Sequence, residues 1–416
     1  MTAQTLPQLY AHTQPVTGAV KPLAYLDRSD SMLWWRKGQG MVARGCALRL
    51  DYAGPDRITT AAADWRRILT TAQISDPLRK VGTGLVAFGT FTFSRTSTVA
   101  SSLIVPRTIV GRRDGTTWVT RIWQEGEPPP AFGEPEPAEP LGQEVRIHFS
   151  PGVMGPERYE DAIREGLARI QADEELHKLV LARDVHAHFP VDADLRPIIR
   201  SLALTYPDCW TFAVDGLLGA SPETLVAVTS GVASSRVLAG SAARGADREA
   251  DDDAAITLAS SHKELDEHEL AVRTVAESFR DFATGVTASD YPFALKLPNL
   301  WHLASEVGGR LRENMTALDA VAALHPTGAV AGSPRRAAAR ILTEIEGFDR
   351  GRYSGPVGWI GSTGDSEWAV ALRCAQVEVS GDVTAWAGCG IVPESIPGKE
   401  LEETRLKLRP IKDAFA

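Results

Sequence analysis

The stretch TIVGRRDGTTWVTRIW, residues 108–123, constrains the fold more than any other. Its two halves alternate apolar and polar residues, and RRDG between them supplies a hairpin turn. An antiparallel strand pair with one face for a core follows from that pattern. GLVAFGTFTF (84–93) and SSLIV (101–105) continue it, and TAAADWRRILTTAQ (60–73) reads as a helix on one side of them. Later the chain offers a long amphipathic helix (155–176), a strand (178–189), a strand region at 209–221 and a hairpin (224–240). One long helix at about 248–281 follows, then shorter helices at 316–326 and 333–347, the latter with Ser333 as N-cap. Two hairpins turning at 361–365 and 380–382 and a last helix at about 397–415 complete the order. Strands and helices come in blocks and do not alternate strictly. That order fits α+β with antiparallel sheets, not a doubly wound parallel sheet.

The segment EGEPPPAFGEPEPAEP, residues 125–140, is acidic and proline-rich. It cannot enter a sheet interior and reads as an exposed connection. It separates a first part, 1–124, from a second, 141–416, and no internal repeat relates them. The formal net charge of −9 argues against a broad nucleic-acid or anionic-membrane footprint. A small anionic substrate stays open, because a local cation can override the global field. Cys46, Cys209, Cys374 and Cys389 form no C-x-x-C pair, so a zinc ribbon or thioredoxin motif is absent. Scattered cysteines, an N-terminus unlike a signal peptide and no apolar run of about 20 residues together predict a cytoplasmic protein.

Two stretches concentrate acid: KELDEHEL (263–270) and GKELEETRLK (398–407). Glu264 and Glu267 are three apart, as are Glu400 and Glu403, so each pair shares a helix face. Four clustered carboxylates repel unless a cation neutralises them, and all-oxygen ligands select Mg²⁺, Ca²⁺ or Mn²⁺ over zinc. Two solvated helix faces account for the spacing equally well. Neither His262 nor His268 begins an H-E-x-x-H motif, which removes a zinc hydrolase. Lys178 opens an apolar strand, and a partly desolvated lysine there can act as a general base. Glu223, in GASPET, would become a general acid if buried. AGCGIVP (387–393) can present backbone N–H groups to an anion. Arg373 in ALRCA and Lys407, one turn beyond Glu403, can each pair with a carboxylate. His302, in LWHLAS, has the ordinary alternative of a structural histidine.

These motifs in this order resemble the chorismate-utilising enzymes, and among them the isochorismate synthases. The resemblance covers about 150–416 through KLVLAR, GASPET, LAGSAARG, KELDEHEL, WHLAS, LHPTGAVAGSP, FDRGRYSGPVGW, ALRCA, GCGIVPES and ELEETRLKL. VAFGTFTF extends it more loosely into the first part. It implies two large antiparallel β-sheets packed face to face, helices outside, a cleft between them, and one domain over 1–416. It implies Mg²⁺ held by Glu267 and Glu403, with Glu264 and Glu400 orienting its waters and the ring carboxylate of chorismate on the metal. Backbone at Gly388, Gly390 and Ile391, with Arg373 and Lys407, would hold the substrate carboxylates, while Gly240, Ser241 and His302 match other pocket positions. Lys178 would deprotonate a water attacking C2, and Glu223 would protonate the departing C4 hydroxyl to give isochorismate for menaquinone or a siderophore.

Within the family, Ala239 stands where aminodeoxychorismate synthases typically carry a lysine, and no glutaminase partner is expected. Ala329 and Ser241 stand where salicylate synthases tend to carry threonine, which makes salicylate synthase the second choice and a non-catalytic binding homologue the third. Many relatives act as monomers. The usual Gly-Ala-Gly-Ile-Val is Gly-Cys-Gly-Ile-Val here, and Cys389 raises an expectation of thiol sensitivity.

Overall fold

The structure, a computed structural model, describes residues 6–18, 20–28, 31–133, 139–296 and 300–416. Within these, 23 strands form one sheet of 13 and one of 10, accompanied by eight α-helices. Every strand pairing but one is antiparallel; Leu9–Pro15 beside Gln73–Ser75 is parallel. The opening hairpin is present as Thr108–Arg113 and Thr116–Gln124, with Asp114 and Gly115 both at positive φ. That is the backbone a two-residue hairpin loop requires.

Side-chain alternation sets the layers. On Met32–Arg36, Met32 and Trp34 enter the core between the sheets, while Leu33 and Trp35 enter a second core on the other face. Trp210, Phe212 and Val214 against Ala213 repeat this on the neighbouring strand. From the other sheet, Val86, Phe88, Trp359 and Trp368 meet Trp34 and Phe212 in the central core. A polar tie crosses it: Trp34 and Trp359 donate indole N–H groups to Glu367 Oε2 at 2.9 and 3.1 Å, and Arg113 reaches the same carboxylate at 2.8 Å. The two sheets therefore pack face to face, as the resemblance implies.

Each sheet is built from both parts of the chain. In the large sheet Trp210–Val214 pairs with Met32–Arg36, and in the small one Pro356–Gly361 pairs with Val86–Thr90. The proline-rich connection runs between opposite ends of the large sheet, from Gln124 to Ser150–Pro151. Gln14 holds Gly133 O, Arg196 holds Glu139 O and Pro140 O, and Ile147 N donates to Phe415 O at 2.9 Å. Residues 134–138 of that connection lie outside the described residues.

Three expectations need correction. The long helix at 248–281 is two helices, Arg248–Ser260 and His262–Phe282, because Ser261 ends the first and N-caps the second in an extended conformation (φ −73°, ψ 111°). The N-cap of the helix Arg335–Glu346 is Pro334, since Ser333 belongs to a short strand paired with Lys178. Arg196–Thr205 forms a helix where none was anticipated; Pro197 near its start is the signal in hindsight.

Candidate active site

The site occupies one end of the sandwich. One wall is the large-sheet pair Lys178–His188 and Asp382–Ile391; the other is the small-sheet pair Val232–Ala243 and Leu300–Leu311. The helix His262–Phe282 packs on the small-sheet pair, and the helix Pro397–Ala414 on the strand Asp382–Ile391. Each of these helices carries its acidic pair in its first two turns, where the helix dipole favours negative charge. Ser261 accepts from Glu264 N, starting the first helix so that Glu264 and Glu267 face the sheet end.

Gly240 is the pivot of the small-sheet wall. It sits at +77° φ in a β-bulge between Ala239 and Ser241, with Ser241 opposite His302. A Cβ there would lie 3.0 Å from Glu264 Oε2, so any side chain at this position would crowd that carboxylate. His302 Nδ1 donates to Gly240 O at 3.3 Å. Burial, with Arg373 and Lys407 adding to it, pushes His302 down to about 4, so the imidazole is neutral. The adjacent helix is pinned by His268: Nδ1 donates to Ala239 O at 3.0 Å and Nε2 accepts from Ser305 at 2.8 Å. His268 drew attention in the sequence only as a failed zinc motif.

On the large-sheet wall, Lys178 begins its strand beside Ser333 and reaches Glu267 Oε1 at 2.8 Å. Its stem lies over Gly390, where a Cβ would come within 2.7 Å of Lys178 Cε. Lys407 Nζ donates to Gly388 O at 2.9 Å and pairs with Glu403 at 2.5 Å. Among the described residues, past Ala385 the strand Asp382–Ile391 keeps a strand partner on one side only, which leaves one backbone edge at 386–391 facing the cleft. The side chain of Ile391 is fully buried in the central core, so only its backbone can serve a ligand. Arg373, at +50° φ, turns the chain into its strand just below that edge.

Glu223 follows Ser221, whose hydroxyl accepts from Glu223 N, and its own carbonyl accepts from Val370 N at 3.1 Å. The carboxyl is half-buried. Desolvation pushes it up to about 7, against the pull of Arg373, Lys407 and Lys178. Ala329 is exposed in the turn Thr327–Ala331, whose Ala331 O accepts from Val180 N at 3.0 Å. The strand edge above Lys178 is completed by a buried ion pair the sequence gave no reason to single out. Glu346 accepts from Ala182 N at 2.8 Å, while Arg350 donates to Val180 O and Val330 O. Tyr353, also unanticipated, stacks on Trp386 and comes close to Gly388.

The four glutamates are not drawn into one ligand set: among the described residues no three His, Cys, Asp or Glu side chains cluster as metal ligands. Glu267 and Glu403 are each held by a lysine instead. The donor chemistry still fits a hard divalent cation, since all four are carboxylates and Gly240 leaves Glu264 room. Cys389 does not behave as expected. Its thiol is buried, contacts the Tyr159 hydroxyl at 2.9 Å, and burial pushes it far up, so it is protonated and shielded.

A raised carboxyl, a lysine, two further cations and two acidic helix ends in one cleft make an acid–base enzyme site suited to a small anion. The chain belongs to the chorismate binding enzymes, whose family profile matches residues 2–416. It is 39% identical over 280 residues to the isochorismate synthase DhbC of Bacillus subtilis, covering 64% of this chain and 70% of that one. It is 29% identical over 419 residues to the salicylate biosynthesis isochorismate synthase of Pseudomonas aeruginosa, covering 94% and 86%. Its fold matches the menaquinone-specific isochorismate synthase MenF of Escherichia coli with a TM-score of 0.78 at 22% identity, over 99% and 95% of the two chains.

Proposed function

We propose that this chain is an isochorismate synthase, an isomerase that interconverts chorismate and isochorismate in menaquinone or siderophore synthesis. The observation that carries the reading is Glu223, a carboxyl pushed up to about 7 in the field of Lys178, Arg373 and Lys407. At neutral pH such a group holds a proton it can give away. Lys178 takes a proton from water as that water bonds to C2 of the ring. Both ring double bonds shift by one position, the C4–O bond breaks, and Glu223 protonates the departing hydroxyl to water. One water enters and one leaves, so the reaction is an isomerisation and reversible.

Arg373 and Lys407 bind the substrate carboxylates, with the backbone edge at Gly388, Gly390 and Ile391. Gly240, Ser241 and neutral His302 shape the opposite wall, and Ala329 leaves room beside the Lys178 strand. Glu267 and Glu403 would hold Mg²⁺, with Glu264 and Glu400 as outer partners. Bound there, the cation would neutralise charge on the ring carboxylate. The protein works as one chorismate-binding unit over 1–416, as a cytoplasmic monomer without a glutaminase partner. Among the described residues no helix is long and apolar enough to cross a membrane.

Salicylate synthase is the second reading; Ala329 and Ser241 weigh against it. The test is incubation with chorismate, in Mg²⁺ or in EDTA, with products resolved by chromatography. Metal-dependent isochorismate without pyruvate supports the proposal, and salicylate with equimolar pyruvate moves it to the second reading. No turnover with water or ammonium would leave only a binding role.

A further inference from the structure

The two lysine–glutamate pairs of the cleft are not equivalent. Lys407 and Glu403 are four apart on one helix, so their contact is local. Lys178 and Glu267 come from opposite walls: the lysine from the large sheet, the glutamate from the helix packed on the small sheet. Each end has its own support. The lysine stem crosses Gly390, where no side chain obstructs it, and Gly332, at +125° φ, packs against the Lys178 carbonyl. Glu267 is fixed through its neighbour His268, whose ring bonds Ala239 O and Ser305. Both groups are only partly exposed, at 28% and 36% of the side chain.

An ammonium at 2.8 Å and a divalent cation at coordination distance on one carboxylate oxygen repel each other, so the two compete for Glu267 Oε1. We propose that the Lys178–Glu267 bridge is an internal counter-ion that an entering divalent cation must displace, so that cation binding and release of the Lys178 amine are one event. The inference rests on the metal site of the proposed function. It adds an order to it: the cation binds first, and only then can Lys178 turn to the substrate water. It also gives the bridge a mechanical sense, since opening it removes one polar link between the two walls of the cleft.

The experiment is Mg²⁺ titration by calorimetry, repeated with Mn²⁺ by paramagnetic resonance, on the full chain and three variants: Lys178→Met, Glu267→Gln and the double substitution. Circular dichroism establishes that each is folded. Removing the lysine should tighten cation binding roughly two- to fivefold, the size a partly exposed ion pair supplies. In the Glu267→Gln background the same change should bring no gain, because nothing is left to compete for. Equal or weaker binding by Lys178→Met overturns the proposal. So does an equal gain in both backgrounds, which is what simple long-range repulsion predicts. Absence of cation binding in all four proteins also overturns it, while turnover of chorismate by the unaltered chain decides the reaction separately.

Discussion

Replacing Glu223 by glutamine should make the protein more stable and less active at once. In the unfolded chain this carboxyl ionises near 4.5; in the cleft it does so near 7. The folded state therefore holds its proton more tightly, and the group favours folding fully only below the lower value. As pH rises from 4.5 through 7, ionising a desolvated carboxyl costs stability, and above 7 the cost is complete. A difference of 2.5 pH units corresponds to roughly 3 kcal/mol. Solvent reaching a partly exposed group reduces that to about 1–2 kcal/mol. Glutamine has nearly the same shape and no charge to desolvate. Glu223→Gln should thus unfold at higher urea at pH 8, by about 1–2 kcal/mol, with the gain shrinking below about 0.5 kcal/mol near pH 4. Turnover should fall by about 10²–10⁴, since an amide cannot supply the proton. Urea titrations of both proteins at several pH values, with assays on the same samples, test this. A variant no more stable than the parent at pH 8, or a gain independent of pH, would refute the account of Glu223.

Gly390→Ala puts a methyl against the Lys178 stem, so turnover should drop at least about tenfold while the fold persists, because the lysine end can swing aside; turnover and circular dichroism measure the two. Gly240→Ala adds the cost of a left-handed alanine, about 1 kcal/mol, and crowds Glu264, so both unfolding midpoint and Mg²⁺ affinity should decrease. A chromogenic thiol reagent should label one cysteine, the exposed Cys46, in the native protein and all four once it is denatured. Rapid labelling of Cys389 in the native state would contradict its placement behind the cleft.

Local chemistry made much of the fold legible. The Asp114–Gly115 turn, the alternating strands and the last helix declare themselves within a few residues. What escaped depends on contacts distant in sequence. Nothing local says that Met32–Arg36 joins Trp210–Val214, because that pairing is chosen by which faces bury tryptophan. The break at Ser261 was hidden by helix-forming residues on both sides, though a serine three before a glutamate is a start signal. In the cleft the motif positions were readable and their partners were not. The Lys178–Glu267 contact spans 89 residues, and Glu346 supports a strand 164 residues away. Strand alternation sends the Ile391 side chain to the core, so only the backbone of that residue is left at the cleft.

The way the two parts share both sheets has a consequence for how the chain can be cut. Residues before the proline-rich connection and residues after it meet along one strand pair in each sheet, with the indole–carboxylate tie between. The connection adds a covalent link and a few anchors on the outer face, but neither of those pairings runs through it. Scission there should leave a nicked protein whose halves stay together. Expressed as separate chains, they should find each other by strand pairing, each useless without its complement, since the acidic helices and Lys178 stand on sheets the smaller piece completes. The molecule is in that sense a ready-made split enzyme.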